Sequence, residues 1–135
     1  PVQKALLAVL PKIVPNLRIG NGLNPRFLCH DPAVVAAYQA DPLVHDRISA
    51  RLALFIAEGG PAVIAQAPHW STPTLLLYAG ADRLVNPAGS RAFAAAAPEK
   101  GVTAQCFDAL YHEIFNEPQS GCVLLALKGW LDARF

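Results

Sequence analysis

The segment from Pro73 to Gly80 limits the fold more than any other stretch of the chain. Thr74-Leu75-Leu76-Leu77-Tyr78-Ala79 is almost wholly apolar and is bounded by Pro before and Gly after. A run of this length without polar alternation, closed by breakers at both ends, reads as a strand buried on both faces, as in a parallel sheet. Asn86-Pro87 then starts a helix that runs to about Ala97, and Val102 to Phe107 supplies a second short strand. Strand, helix, strand is a βαβ unit, and the right-handed crossover makes the two strands parallel. Two strands joined by one helix cannot cover both faces or satisfy both edges of such a sheet. The sheet is therefore expected to be incomplete within this sequence, with further strands beside Thr74 to Ala79 coming from an N-terminal part or from another chain.

The first half reads as helices joined by proline turns. Val2, Ala5, Leu6, Val9 and Ile13 form an amphipathic stripe over residues 2–14, interrupted near Pro11, and such a stripe is more often core packing than a lipid-facing surface. Pro15 to Leu28, dense in Pro, Asn and Gly, reads as a loop. Asp31-Pro32 is an N-cap followed by proline at the first helical position, opening a helix through Tyr38 that Asp41-Pro42 ends. Asp46 or Ser49 caps a helix through Ile56, and Gly59-Gly60-Pro61 is expected to break or kink it before Val63 to Ala67. At the C-terminus, Asn116 as N-cap with Gln119 three residues on predicts a helix from about Glu117 to Ala133, carrying Val123, Leu124, Leu127, Trp130 and Leu131 on one side.

Composition narrows the function classes. Of 135 residues, 53% are hydrophobic and 16% charged, against roughly 25% charged in a typical soluble domain. Disorder is excluded, and the length is enough to bury a core without disulfides or metals. The net charge of +1 gives no electrostatic footprint for nucleic acid. No apolar run approaches the roughly 18 residues of a membrane span, so no transmembrane segment is expected. Cys29, Cys106 and Cys122 are far apart, with no Cys-x-x-Cys pair, and read as free buried thiols in a reducing, cytoplasmic setting. His30, His45 and His69 read as structural or exposed, since no two lie at metal-ligand spacing. Neither a metal nor another cofactor is expected. The sequence contains no Met and opens on Pro1 without the pattern of a secretory signal, which is expected of a processed or truncated chain.

In open α/β sheets, sites form just past the carboxyl ends of the strands. After the first strand comes Gly80-Ala81-Asp82-Arg83-Leu84-Val85, and after the second comes Asp108-Ala109-Leu110-Tyr111-His112-Glu113. Adjacent parallel strands lie roughly 5 Å apart, so short loops bring Asp82 and His112 to one end of the sheet, where an Asp–His hydrogen bond is geometrically natural. Asp108 and Glu113 are rival carboxylates, but both are so close to His112 in sequence that Asp82 fits better. Such a pair is what a nucleophilic hydrolase needs: the histidine takes the proton of a serine, and the carboxylate holds its tautomer. α/β-Hydrolases run Ser, then Asp or Glu, then His. The second and third members stand here in that order, while none of Ser49, Ser71, Ser90 and Ser120 lies in a Gly-x-Ser-x-Gly elbow.

From about Pro15 onward the sequence resembles the C-terminal half of α/β-hydrolases of the monoacylglycerol lipase and lysophospholipase type, also known as serine aminopeptidase-like hydrolases. His30-Asp31-Pro32 through Tyr38 to Asp41-Pro42-Leu43-Val44-His45, followed by Ser49-Ala50-Arg51, is similar to that family's cap and the helix after it. Leu75 to Val85 resembles the penultimate strand with its acid, and Tyr111-His112-Glu113-Ile114-Phe115-Asn116-Glu117 resembles the catalytic histidine loop. The resemblance implies an α/β fold of cap helices, a parallel βαβ unit and a C-terminal helix around an incomplete sheet. Residues 1–48 would be the cap-like helical segment and residues 49–135 the C-terminal part of the core. It implies Asp82 as triad acid, His112 as general base, and ester or lysolipid substrates with an apolar acyl chain. The nucleophile elbow, the His-Gly loop associated with the oxyanion hole and the first five or six strands are absent, so the 135 residues alone are expected to be inactive. Two functions are therefore carried forward. One is an ester hydrolase whose nucleophile lies in an N-terminal half. The other is a non-catalytic dimerisation or partner-binding module that uses the exposed strand edge.

Overall fold

The computed structural model describes Val9 and residues 11–135. The amphipathic stripe over residues 2–14 therefore falls largely outside the described residues, although Val9 and residues 11–13 are helical. The elements that follow are β1 (Arg18–Gly20), a 3-10 turn (Pro25–Phe27), α1 (Pro32–Ala40), β2 (Arg47–Ser49) and α2 (Ala50–Gln66). A second 3-10 turn (Ala67–His69), β3 (Thr74–Ala79), α3 (Ala88–Ala96), β4 (Val102–Phe107) and α4 (Ser120–Asp132) complete the chain.

β3 and β4 pair in parallel, from Thr74 opposite Val102 to Ala79 opposite Phe107, with α3 as the crossover. They form a separate two-stranded sheet. Neighbouring residues of β3 serve opposite faces, as the two-residue period of a strand requires. Leu77 packs with Ala79, Phe107, Leu110, Ile114 and Val123, beneath α4. Leu76 packs on the other side with Ala67, Phe93, Ala97 and Val102, beneath α2 and α3. Trp70 closes that second cluster, its ring edge-on to Phe93 at 5.2 Å and its indole N–H donating to Thr74 Oγ1 at 2.8 Å. Helices thus sit on both faces of β3 and β4, yet only Ala79 of β3 is buried and the rest of the strand is half-exposed. The apolar run has more surface than these elements cover, as an incomplete sheet requires.

Local sequence explains most helix starts. Asp31 Oδ1 accepts from the Ala33 amide at 2.8 Å and opens α1, Ser49 Oγ accepts from Leu52 N at 3.3 Å and opens α2, and Asn86 Oδ1 accepts from Ala88 N at 3.0 Å at the start of α3. These side chains take up amide donors that have no intrahelical partner.

Several expectations are corrected. The stretch read as loop contains β1, which pairs antiparallel with β2 from Arg18 opposite Ser49 to Gly20 opposite Arg47. Both strands are only three residues long, β1 exposed throughout and β2 with one apolar residue, Ile48, that is half-buried, so they carry no apolar signature. Gly59-Gly60-Pro61 does not break α2, which continues to Gln66. Pro61 cannot donate to the carbonyl four residues back, but Ala50 is buried at one end of the helix and Ile64 and Ala67 are packed against Phe93 at the other, and tertiary packing at both ends holds it. The last helix starts at Ser120, with no side-chain cap. The capping box centred on Asn116 does not form, because Asn116 Nδ2 donates instead to Glu113 Oε2 at 2.9 Å and Glu117 is drawn into the interior. Of the apolar side proposed for that helix, Val123 is fully buried while Leu124 and Leu131 are exposed. The three thiols are free, but only Cys29 is buried; Cys106 is intermediate and Cys122 exposed.

Candidate active site at the carboxyl ends of β3 and β4

The two loops that leave the carboxyl ends of β3 and β4 are stitched together by their backbones. Gly80 N donates to Phe107 O at 2.9 Å and Ala81 N to Leu110 O at 3.2 Å. The approach is close enough to demand glycine at position 80: a Cβ there would lie 2.5 Å from Asp108 Cα and 3.0 Å from Asp108 O. This seam brings Asp82 and His112, 30 residues apart in sequence, into contact.

Asp82 is an acceptor saturated by donors. Oδ1 accepts from the Leu84 and Val85 amides at 2.8 and 2.9 Å, and Oδ2 accepts from His112 Nδ1 at 2.8 Å. Its side chain is 10% exposed and that of His112 38%. Burial by itself pushes the Asp82 carboxyl up, but the Val85 amide, the His112 ring and the Leu84 amide favour the charged form and hold it below its ordinary value. An ionised acid-loop carboxylate requires a hydrogen on His112 Nδ1, which leaves the Nε2 lone pair available as a base.

The rival carboxylates and the other histidines do not join this pair. Asp108 Oδ1 accepts from Cys106 Sγ at 3.2 Å, and Glu113 is bonded to Asn116. His45 Nδ1 accepts from Arg47 N at 3.2 Å, and His69 is exposed in the second 3-10 turn. Among the serines, Ser49 caps α2 and Ser90 faces an apolar groove lined by Phe55, Ile56, Val63 and Phe93. A cleft of about 290 Å³ opens beside the acid loop, lined by Leu23, Leu28, Tyr38, Val44, His45 and Leu84 among others. It joins the chain before α1, α1 itself and the turn after it to the loop that carries Asp82.

Glu117 is a residue that sequence reasoning passed over. It is 2% exposed, and its carboxylate accepts from Tyr111 N at 2.9 Å, from His30 N at 3.3 Å and from His30 Nδ1 at 2.9 Å. His30 lies 87 residues away, and no local pattern announces the pair. A carboxylate in a segment already resembling the catalytic histidine loop was the one available signal.

Residues 1–119 match the family described as serine aminopeptidase, S33. The chain belongs to that family. Like its relatives it is an α/β-hydrolase, here with a small incomplete sheet. It is 35% identical over 132 residues to a monoacylglycerol lipase of Mycolicibacterium smegmatis, covering 97% of this chain and 47% of that protein. The crystal structure of the Paleococcus ferrophilus monoacylglycerol lipase superposes with a TM-score of 0.89 at 37% identity, over 96% of this chain and 51% of the other. A soluble variant of the Saccharomyces cerevisiae monoglyceride lipase, solved with a substrate analog, shares the fold at a TM-score of 0.82 and 22% identity. The chain spans about half the length of these lipases, corresponding to their C-terminal half. Among the described residues no helix is long and apolar enough to cross a membrane.

Proposed function

We propose that this S33-family chain supplies the acid and the base of a carboxylic-ester hydrolase whose serine nucleophile lies in residues outside the sequence. The observation that carries the reading is the 2.8 Å bond between His112 Nδ1 and Asp82 Oδ2, at the end of a parallel sheet where α/β proteins place their sites. In this mechanism His112 Nε2 takes the serine proton as the hydroxyl oxygen attacks the ester carbonyl. Asp82 stabilises the imidazolium that forms, and His112 then returns the proton to the departing alcohol. Water repeats the sequence on the acyl-enzyme. The order acid then base along the chain agrees with the Ser, Asp, His order of α/β-hydrolases.

We assign residues 1–48, as far as they are described, to the cap and residues 49–135 to the C-terminal part of the core; the cleft beside Leu84 draws its lining from both. The substrate class is a monoacylglycerol or lysolipid ester with an apolar acyl chain, a choice supported by the lipase relatives. Three free thiols suit a reducing, cytoplasmic setting. Without the nucleophile only residual catalysis is left, and each absent oxyanion donor removes a further ~3 kcal/mol of transition-state stabilisation, so the 135 residues alone are inert. A fluorophosphonate probe tests this. No covalent adduct on the 135-residue chain is expected, and an adduct on any of its four serines would overturn the assignment of the nucleophile.

A second reading is favoured by one feature, the uncovered flank of β3 with Phe55 at 70% and Ile56 at 58% exposed nearby. A strand-edge module would use that flank to dimerise or bind a partner without chemistry. Size-exclusion separates the two: a dimer that persists when the N-terminal half is supplied favours the module, and a monomer restored by that half favours the hydrolase.

A further inference from the structure

We infer that Glu117 and His30 are positioning residues that seat the imidazole of His112, an inference that rests on the hydrolase reading. His112 has one side-chain hydrogen bond, to Asp82, and is more than a third exposed. A single bond fixes the Nδ1 end of the ring but not the path of the backbone that carries it. That path is held by the residues on either side. Tyr111, immediately before His112, donates its amide to Glu117 Oε1 at 2.9 Å, and its ring stacks on the His30 ring at 3.6 Å and 22°. Glu113, immediately after His112, donates its amide to Leu28 O at 2.9 Å. Both anchors return to one short strap, Leu28 to His30, just before the cap of α1.

The strap is itself fastened to the same loop. Cys29 Sγ donates to Asn116 O at 3.1 Å, and His30 gives Glu117 both its amide and its Nδ1 hydrogen. Glu117 is the centre of the arrangement. It is the one buried charged or polar side chain among the described residues, and burial of a carboxylate is tolerated only where donors surround it. Three donors do so, and two come from the strap. The clamp also reaches the acid loop, because Phe27 meets Tyr111 edge-on at 6.1 Å and carries the Arg83 guanidinium 4.8 Å above its ring. Glu117 thus holds one flank of the histidine loop directly, through Tyr111 N, and through His30 fastens the strap whose Leu28 carbonyl holds the other.

The test uses the longer protein that contains these residues together with the nucleophile. Wild type, His112→Ala, Glu117→Gln, His30→Ala and His30→Arg are compared for kcat and KM on a short-chain p-nitrophenyl ester, for Tm, and for the proton NMR signal of His112 Nδ1–H. Glu117→Gln and His30→Ala are expected to lower kcat by about 10- to 100-fold, the scale of an ångström misplacement of a catalytic group, with KM little changed and the Nδ1–H signal shifted or broadened. His30→Arg, which restores an N–H donor to the carboxylate, is expected to recover much of kcat. If Glu117→Gln fails to fold, the His30 variants decide the matter, since that side chain is 42% exposed. Folded His30→Ala with unchanged kcat and an unchanged Nδ1–H signal, alongside an inactive His112→Ala, would overturn the clamp and leave the hydrolase reading standing. Full activity of His112→Ala would instead overturn the hydrolase reading, and the clamp with it.

Discussion

Replacing Gly80 by Ala should damage this structure more than a single methyl ordinarily does. The new Cβ would stand 2.5 Å from Asp108 Cα, about 0.9 Å inside the 3.4 Å at which ordinary van der Waals contact begins, and 3.0 Å from Asp108 O. The obstacle is backbone, so no side-chain rotation relieves it, and either the loop after β3 or the loop after β4 must move. The seam bonds from Gly80 N to Phe107 O and from Ala81 N to Leu110 O lie directly in the way. Overpacking of this kind costs about 1–3 kcal/mol, and with two seam bonds at risk the upper end is expected, near 3 kcal/mol. For a chain of this length that corresponds to a fall in Tm of about 10 °C. The control is Gly129→Ala in α4, where the added Cβ meets nothing within 4 Å. There the same methyl should stabilise by about 0.5–1 kcal/mol, because Ala loses less backbone entropy in a helix than Gly. Thermal unfolding followed by circular dichroism reads both variants. Equal midpoints for Gly80→Ala and wild type would refute the claim that close loop approach dictates glycine at this position.

Three further outcomes follow from particular contacts. Asp82 holds its proton less readily when folded than when unfolded, so its contribution to stability is complete above the ordinary carboxylate value of 3.8 and is lost as pH falls through the lowered one; urea midpoints of Asp82→Asn should show a shallower acid limb than wild type, and parallel limbs would contradict the assignment. Val123, wholly buried between the sheet and α4, should cost about 2 kcal/mol when cut to Ala, measured by denaturant unfolding, whereas exposed Leu125→Ala should be near neutral. Iodoacetamide should alkylate Cys122 first and Cys29 last, since Cys29 is enclosed and its burial pushes the thiol up; peptide mass spectrometry gives the order, and early loss of Cys29 would show that the strap opens.

The parts of the fold written in contiguous residues were legible in advance. β3 begins and ends where the apolar run and its Pro and Gly boundaries place it, β4 covers the expected Val102 to Phe107, and Asp31, Ser49 and Asn86 cap as their types and positions suggest. The contact between Asp82 and His112 was also legible, because parallel pairing of two recognisable strands leaves their following loops at one end. What escaped was decided by distant partners. β1 exists only because β2 lies opposite it. α2 survives Gly59-Gly60-Pro61 because packing at both ends outweighs local propensity. Asn116 and Gln119 have the spacing of a capping box, but Glu117 between them is claimed by His30 and Tyr111, and the helix starts later. Glu117 itself was invisible for the same reason: a carboxylate in an exposed-looking turn becomes a buried hub only when a residue 87 positions away arrives beside it.

The central claim is that Asp82 and His112 operate as acid and base for a serine supplied from outside these 135 residues. Its most direct test is kcat/KM for ester hydrolysis by the longer protein carrying Asp82→Asn. Asn would hold the ring but favour the wrong tautomer, and the predicted loss is about 10⁴-fold, the scale of that change in Ser-His-Asp sites, with the fold intact. Activity within a fewfold of wild type would contradict the claim.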